Sequence, residues 1–162
     1  MSLFRPVKVA GSLALAAALA AAIPASAQNF NANPSYGTVN LRTGFTPDPR
    51  VVNVRSGGNI DASSAIGGAC RGFIAGAPDV RLNFQAGSLP LIISANSGAD
   101  TTLVVNGPDG RWYCDDDGGE NGLNPAVRFN NAQSGRYEIW IGTYGNNSLQ
   151  PAQLHISELY SQ

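Results

Sequence analysis

Beyond residue 27 this sequence contains no lysine, a single histidine and only two cysteines, and charged residues make up 13% of the whole chain. Eight arginines stand against eleven acids in that region, a net charge of −3. The basic patch that nucleic acid or an anionic membrane surface demands is therefore missing. Two cysteines and one distant histidine do not supply the four ligands of a structural zinc site. No segment after residue 27 keeps a sustained helical period, none is apolar over the ~20 residues a bilayer span needs, and no internal repeat is visible.

Nucleophile motifs are absent as well. There is no G-x-S-x-G elbow. The stretch Asp115 to Gly119, DDDGG, echoes the GDSGG of trypsin-like proteases but places Asp117 where the serine would stand. The lone His155 lies in QLHIS between Leu154 and Ile156, so it points away from the face those two bury and reads as a surface residue. Glycoside hydrolysis by paired carboxylates needs two acids roughly 5 to 9.5 Å apart. Here the acids fall in a glycine-rich loop of a small domain, and the expectation is a protein without enzymatic activity.

What is present starts with an export signal. Arg5 and Lys8 precede an apolar run from Val9 to Ile23, and Ala25-Ser26-Ala27 forms a small-x-small cleavage site. That run is too short for a membrane anchor and ends in Pro24. The expected layout is a signal peptide over 1–27, a loosely ordered leader over 28–49 with an edge strand near Thr38 to Leu41, and a β-sandwich domain over 50–162. The destination is the periplasm or the outside of the cell. In such an oxidising compartment an even cysteine count points to a disulfide, Cys70 to Cys114. Its loop closure is worth about 4 kcal/mol in the chain-entropy model. Two buried free thiols are the alternative.

After Pro49 the pattern is steadily β. Short runs rich in β-branched and aromatic residues recur between Gly, Pro, Asn and Asp clusters: VVNV from Val51, VRLNF from Val80, LIIS from Leu91, TTLVV from Thr101, RWYC from Arg111, AVRF from Ala126, RYEIWIGTY from Arg136 and QLHIS from Gln153. Alternation assigns an inward face: Val80, Leu82 and Phe84; Leu103 and Val105; Val127 and Phe129; Tyr137, Ile139 and Ile141; Leu154 and Ile156. About eight such strands predict an all-β fold, an antiparallel β-sandwich or jelly roll with one disulfide.

Between TTLVV and RWYC sits Asn106-Gly107-Pro108-Asp109-Gly110, strong hairpin chemistry. With Pro108 and Asp109 as the central pair, Cys114 faces Leu103 and Asp117 faces Asp100; a glycine bulge at Gly110 shifts this by one residue. Either way Asp100 and the Asp115 to Asp117 run meet at the open end of one hairpin. Like charges that close disfavour mutual ionisation unless a cation or donors compensate. Calcium, which takes six to eight oxygen ligands, is a natural remedy. The candidate metal set is Asp100, Asp115, Asp116, Asp117, Glu120 and Asn121. The spacing is not that of an EF-hand, and a solvated acidic turn is the competing reading.

Aromatic side chains suggest a second class of function. Trp140 alternates with Glu138 and Gly142, opposite the apolar set of its own strand, and with Tyr144 could contact a sugar ring or a protein partner. Core packing is the commoner use of such rings. The partner expected is an extracellular or periplasmic protein or polysaccharide.

The segments DTTLVVNGPDGRWYCDDDGG, Asp100 to Gly119, and SGRYEIWIGTY, Ser134 to Tyr144, resemble the pre-peptidase C-terminal domains of secreted bacterial proteins. The shared features are an aspartate leading a strand, a P-x-G turn, an acidic stretch after the next strand and a late G-x-Y strand. The resemblance covers roughly Ile60 to Leu159. It implies a jelly-roll-like sandwich with an accessory role in secretion, surface targeting or substrate binding, in some members with calcium, and it maps the acidic positions onto Asp100 and Asp115 to Asp117.

Overall fold

The computed structural model describes residues 28–162. The predicted export signal and its cleavage box lie outside the described residues. Strands run over Thr38–Arg42 (β1), Arg50–Ser56 (β2), Ile60–Asp61 (β3), Phe73–Ile74 (β4), Val80–Gln85 (β5), Leu91–Asn96 (β6), Thr101–Asn106 (β7), Trp112–Asp115 (β8), Ala126–Phe129 (β9), Gly135–Thr143 (β10) and Gln150–Ser157 (β11). A single helical turn, α1, covers Ala62–Ala65 between β3 and β4. Every β-run read from the sequence lies in a strand, apart from the end residues Arg111 and Tyr144.

Two sheets face each other. In one, the order is β1–β5–β10–β7–β8, with β4 and β3 added at the far end of β10. In the other it is β2–β11–β6–β9. Only β1 with β5 is a parallel pair among the described strands, so the sandwich is mixed at that edge rather than wholly antiparallel. The inward residues predicted from period-two alternation form the core: Val80, Leu82, Leu103, Val105, Ile139, Ile141, Leu154 and Ile156 are all fully buried, with Phe129 partly buried against them. Burial on this scale is what an alternating strand contributes, at about 25 cal/mol per Å² of apolar surface.

The β7–β8 hairpin carries the shifted register. Leu103 pairs with Asp115 and Val104 with Cys114, so Cys114 does not face Leu103. Gly110 is the cause: its φ of 74° makes Pro108-Asp109-Gly110 a three-residue loop, closed by Gly107 N–H on the Arg111 carbonyl at 2.9 Å. The loop is further pinned by Asp109, which accepts from Arg111 N–H at 3.1 Å and from the Tyr113 hydroxyl at 2.6 Å.

A second, smaller core lies on the outer face of the first sheet. There β3, α1, β4 and the loop to Cys70 form a flap over Trp140 and Val104, joined by Ala62 and Ile74. Asp61 caps α1 by accepting Ser63 N–H at 2.9 Å. Glycine at 142 permits this packing, because a Cβ there would collide with Thr102 and with the Phe73 backbone. The disulfide Cys70–Cys114, as expected, ties the flap to β8.

The chain before β1 lies along the outer face of the same sheet. Glu138, 1% exposed, is clamped by Arg81 at 2.6 Å and Arg136 at 3.0 Å. Arg81 also donates to the carbonyl of Ala32 at 2.9 Å, and Arg136 to the Asn31 side chain at 3.0 Å.

Candidate functional site

Three connections converge at one end of the sandwich: residues 97–100 between β6 and β7, residues 116–125 between β8 and β9, and residues 144–149 between β10 and β11. Asp100 joins two of them, its backbone carbonyl accepting Tyr144 N–H at 3.0 Å. The next residue, Thr101, donates its N–H to the Leu123 carbonyl at 3.3 Å.

Asn124 is the hub of this end and is 5% exposed. Its Oδ1 accepts Ser97 N–H at 3.0 Å and the Thr101 hydroxyl at 3.2 Å, while its Nδ2 donates to the Asn121 carbonyl at 2.7 Å. A buried amide satisfied on both ends fixes two loops together, since leaving either end unpaired would cost about 1–3 kcal/mol. The sequence places Asn124 in the acidic loop without marking this role; the only local signal is an Asn-Pro pair just ahead of a strand.

The carboxylates divide into two groups. Asp115 accepts Gly118 N–H at 2.6 Å and Ala126 N–H at 2.9 Å through the same oxygen, so it holds the loop to the start of β9. Asp100, Asp116 and Asp117 make no hydrogen bond of that kind and are related through their charges. Burial, followed by the charges of Asp117 and Asp116, raises the Asp100 carboxyl above its ordinary range, and its Oδ1 is buried without a hydrogen-bond partner. Asp117, Glu120 and Asn121 are exposed on the loop and Asp116 is half-buried. Among the described residues no three His, Cys, Asp or Glu side chains converge as metal ligands.

Loop 116–125 is also tied to the chain's last residues, which cross the outer face of the second sheet. Glu120 N–H donates to the Gln162 carbonyl at 2.8 Å, and Gln162 N–H to the Ser94 hydroxyl at 3.2 Å. On that face His155 is 7% exposed, which corrects the expectation of a surface histidine. The side chain does point away from the main core, yet its face is covered, and neither ring nitrogen finds a partner. Burial holds the imidazole below its ordinary pKa.

The two candidate aromatics separate. Trp140 is 0% exposed, lying 5.5 Å from Trp112 between ring centroids, beneath the disulfide-tied flap. It presents no surface to a ligand, because the flap occupies the outer face that its alternation with Glu138 and Gly142 had left open. Tyr144 is 47% exposed, and its N–H bond to Asp100 sets it at the acidic end. Leu123, 54% exposed, belongs to the same end.

The carboxylate shifted furthest lies elsewhere. Asp79 is 2% exposed, and burial pushes it up to about 7. Its Oδ2 accepts Ile141 N–H at 2.8 Å, so the group completes a backbone ladder. No local pattern in the sequence marks it.

No protein-family model matches the chain, and no curated protein is similar to it at a significant level. The molecule is defined by its own architecture: an all-β sandwich with one disulfide and a carboxylate-bearing loop end.

Proposed function

We propose that this chain is an exported, non-catalytic β-sandwich binding module whose acidic loop end draws a calcium ion to Asp100, with the side chains of Asp116 and Asp117 closing on the ion as it binds, and offers Tyr144 and Leu123 to an extracellular or periplasmic partner. The observation that carries the cation is the buried, unpartnered Oδ1 of Asp100, a carboxylate that also feels the charges of Asp117 and Asp116. An oxygen-loving cation would satisfy that lone pair and offset the mutual repulsion. Asp115 contributes by holding the loop rather than as a ligand, since its Oδ2 already accepts two backbone N–H groups. Exposed Glu120 and Asn121, backbone carbonyls and water would complete the shell.

Export is supported by the disulfide and by the charge and apolar pattern of residues 5–27. The non-catalytic reading is supported by the use of Asp79, the most perturbed acid, as a backbone acceptor. The likeness of Asp100 to Gly119 and Ser134 to Tyr144 to pre-peptidase C-terminal domains agrees with an accessory role. A groove of about 480 Å³ lined by Asn53, Asn96, Ser97 and Gln153 adjoins the turn that carries Asp100. Its amides suit the hydroxyls of a polysaccharide, which makes a glycan the alternative ligand without metal.

Thermal melts in calcium and in chelator test the proposal. A ligand at 100 times its dissociation constant adds about 2.7 kcal/mol, so the midpoint rises with calcium; identical midpoints across millimolar calcium would refute the cation.

A further inference from the structure

Gln28 stands immediately after the Ala25-Ser26-Ala27 box. Export therefore makes it the first residue of the mature chain, and the chemistry assigned to it below depends on that export. In the fold Gln28 is 6% exposed, and both Nε2 and Oε1 of its side chain are buried without a hydrogen-bond partner. The residue does not trail in solvent. Asn29 N–H donates to the Gly76 carbonyl at 3.0 Å, the Asn29 carbonyl accepts Ala32 N–H at 3.0 Å, and Ser35 N–H reaches the Pro78 carbonyl at 2.9 Å.

Once the preceding peptide bond is cut, this position would combine a charged α-ammonium with an unsatisfied primary amide. The amide is costly because it is buried without partners, and the new charge stands at the base of that same side chain. The two groups that cause the problem can remove each other. The α-amine and the side-chain carbonyl carbon belong to one residue, and joining them closes an unstrained five-membered ring, with the rate advantage of an intramolecular reaction.

We infer that Gln28 is a modification site, converted after cleavage to pyroglutamate. The α-nitrogen attacks Cδ, the N–Cδ bond forms, and the Cδ–Nε2 bond breaks. Nε2 departs as ammonia, taking up the proton that the amine gives up. No oxidant, reductant or co-reactant is required. The product is neutral, has lost the buried NH2 donor, and keeps one lactam N–H and one carbonyl. The outcome is a blocked N-terminus that removes the buried, unpaired amide group and resists aminopeptidases.

The test is mass spectrometry of the exported protein, intact and as its N-terminal peptide, on material taken directly from the secreted or periplasmic fraction. The expected result is a chain beginning at residue 28 and lighter by one ammonia, with the loss located on that residue. Gln28→Asn, which would need a strained four-membered ring, should begin at residue 28 with a free amine. A wild-type chain beginning at residue 28 with a free amine overturns the modification and leaves export intact. A ring that forms only during storage of the purified protein overturns it too. An uncut chain, or one beginning elsewhere, overturns it together with the assigned cleavage.

Discussion

The carboxylate of Asp79 accepts the backbone N–H of Ile141 at 2.8 Å. It does so in the gap that β10 leaves between its two neighbours on one side, β5 pairing up to Ile139 and β4 only at Thr143. Gly57 N–H completes the stretch by donating to the Ile141 carbonyl at 2.8 Å. A side chain thus does a strand's work where none of the described strands pairs.

That arrangement makes stability depend on pH in a direction unusual for a carboxylate. With the folded group at about 7 against an ordinary 3.8, the native state keeps a proton that the unfolded chain has already lost. Stability falls as pH rises across that window, by about 4 kcal/mol for a shift of this size. Asp79→Asn retains an acceptor for Ile141 and does not ionise. It should melt several degrees above wild type at pH 8 and differ little at pH 4. Equal or lower midpoints at pH 8 would contradict this role for Asp79.

His155 works in the opposite sense. Burial lowers its pKa in the fold, so its neutral form contributes stability that is intact above pH 6.5 and is lost as pH falls through the folded value. Because Asp79 changes over an overlapping range, the clean comparison is Asp79→Asn with and without His155→Leu. Removing the imidazole should flatten the acid limb of midpoint against pH; an unchanged limb would show that His155 is not the group responsible.

The disulfide should matter most for the flap. Replacing both Cys70 and Cys114 by alanine releases a closed loop with a sequence separation of 44, a loss of about 4 kcal/mol. Trp140 should then become accessible to acrylamide as the flap opens. A variant with wild-type stability and a protected Trp140 would mean that packing alone holds the flap.

Single substitutions distinguish the two aromatics by mechanism. Trp140→Ala empties the second core and should destabilise by about 3–5 kcal/mol. Tyr144→Ala should leave the midpoint within about 0.5 kcal/mol, as exposed positions do, while weakening any partner held at the acidic end. A large loss of stability from Tyr144→Ala would recast that ring as structural.

The strands were legible because alternation such as Val80-Arg81-Leu82-Asn83-Phe84 encodes one buried face directly. The hairpin was legible too, although its register hung on whether Gly110 took a positive φ. What escaped depends on distant chain. β3 and β4 have two residues each, too few to carry a period. Trp140 and His155 sit on faces opposite the main core, and only the flap and the strand environment around β11 decide that they are buried. The roles of Asp79 and Asn124 arise from backbone groups left unpaired by the topology. At the site itself the hairpin pattern puts Asp100 at the same end as Asp116 and Asp117, whose charges reach it, but it does not separate Asp115, already occupied by Gly118 and Ala126, from the carboxylates that remain.

The most direct measurement is a calorimetric titration of calcium into the folded protein and into Asp100→Asn. Saturable binding near one ion per chain is predicted for wild type, with at least a tenfold weaker affinity for the variant, which should also be the more stable of the two in chelator because it has shed a repelled carboxylate. No heat of binding to wild type up to millimolar calcium, or equal affinity for the two proteins, would contradict the calcium site.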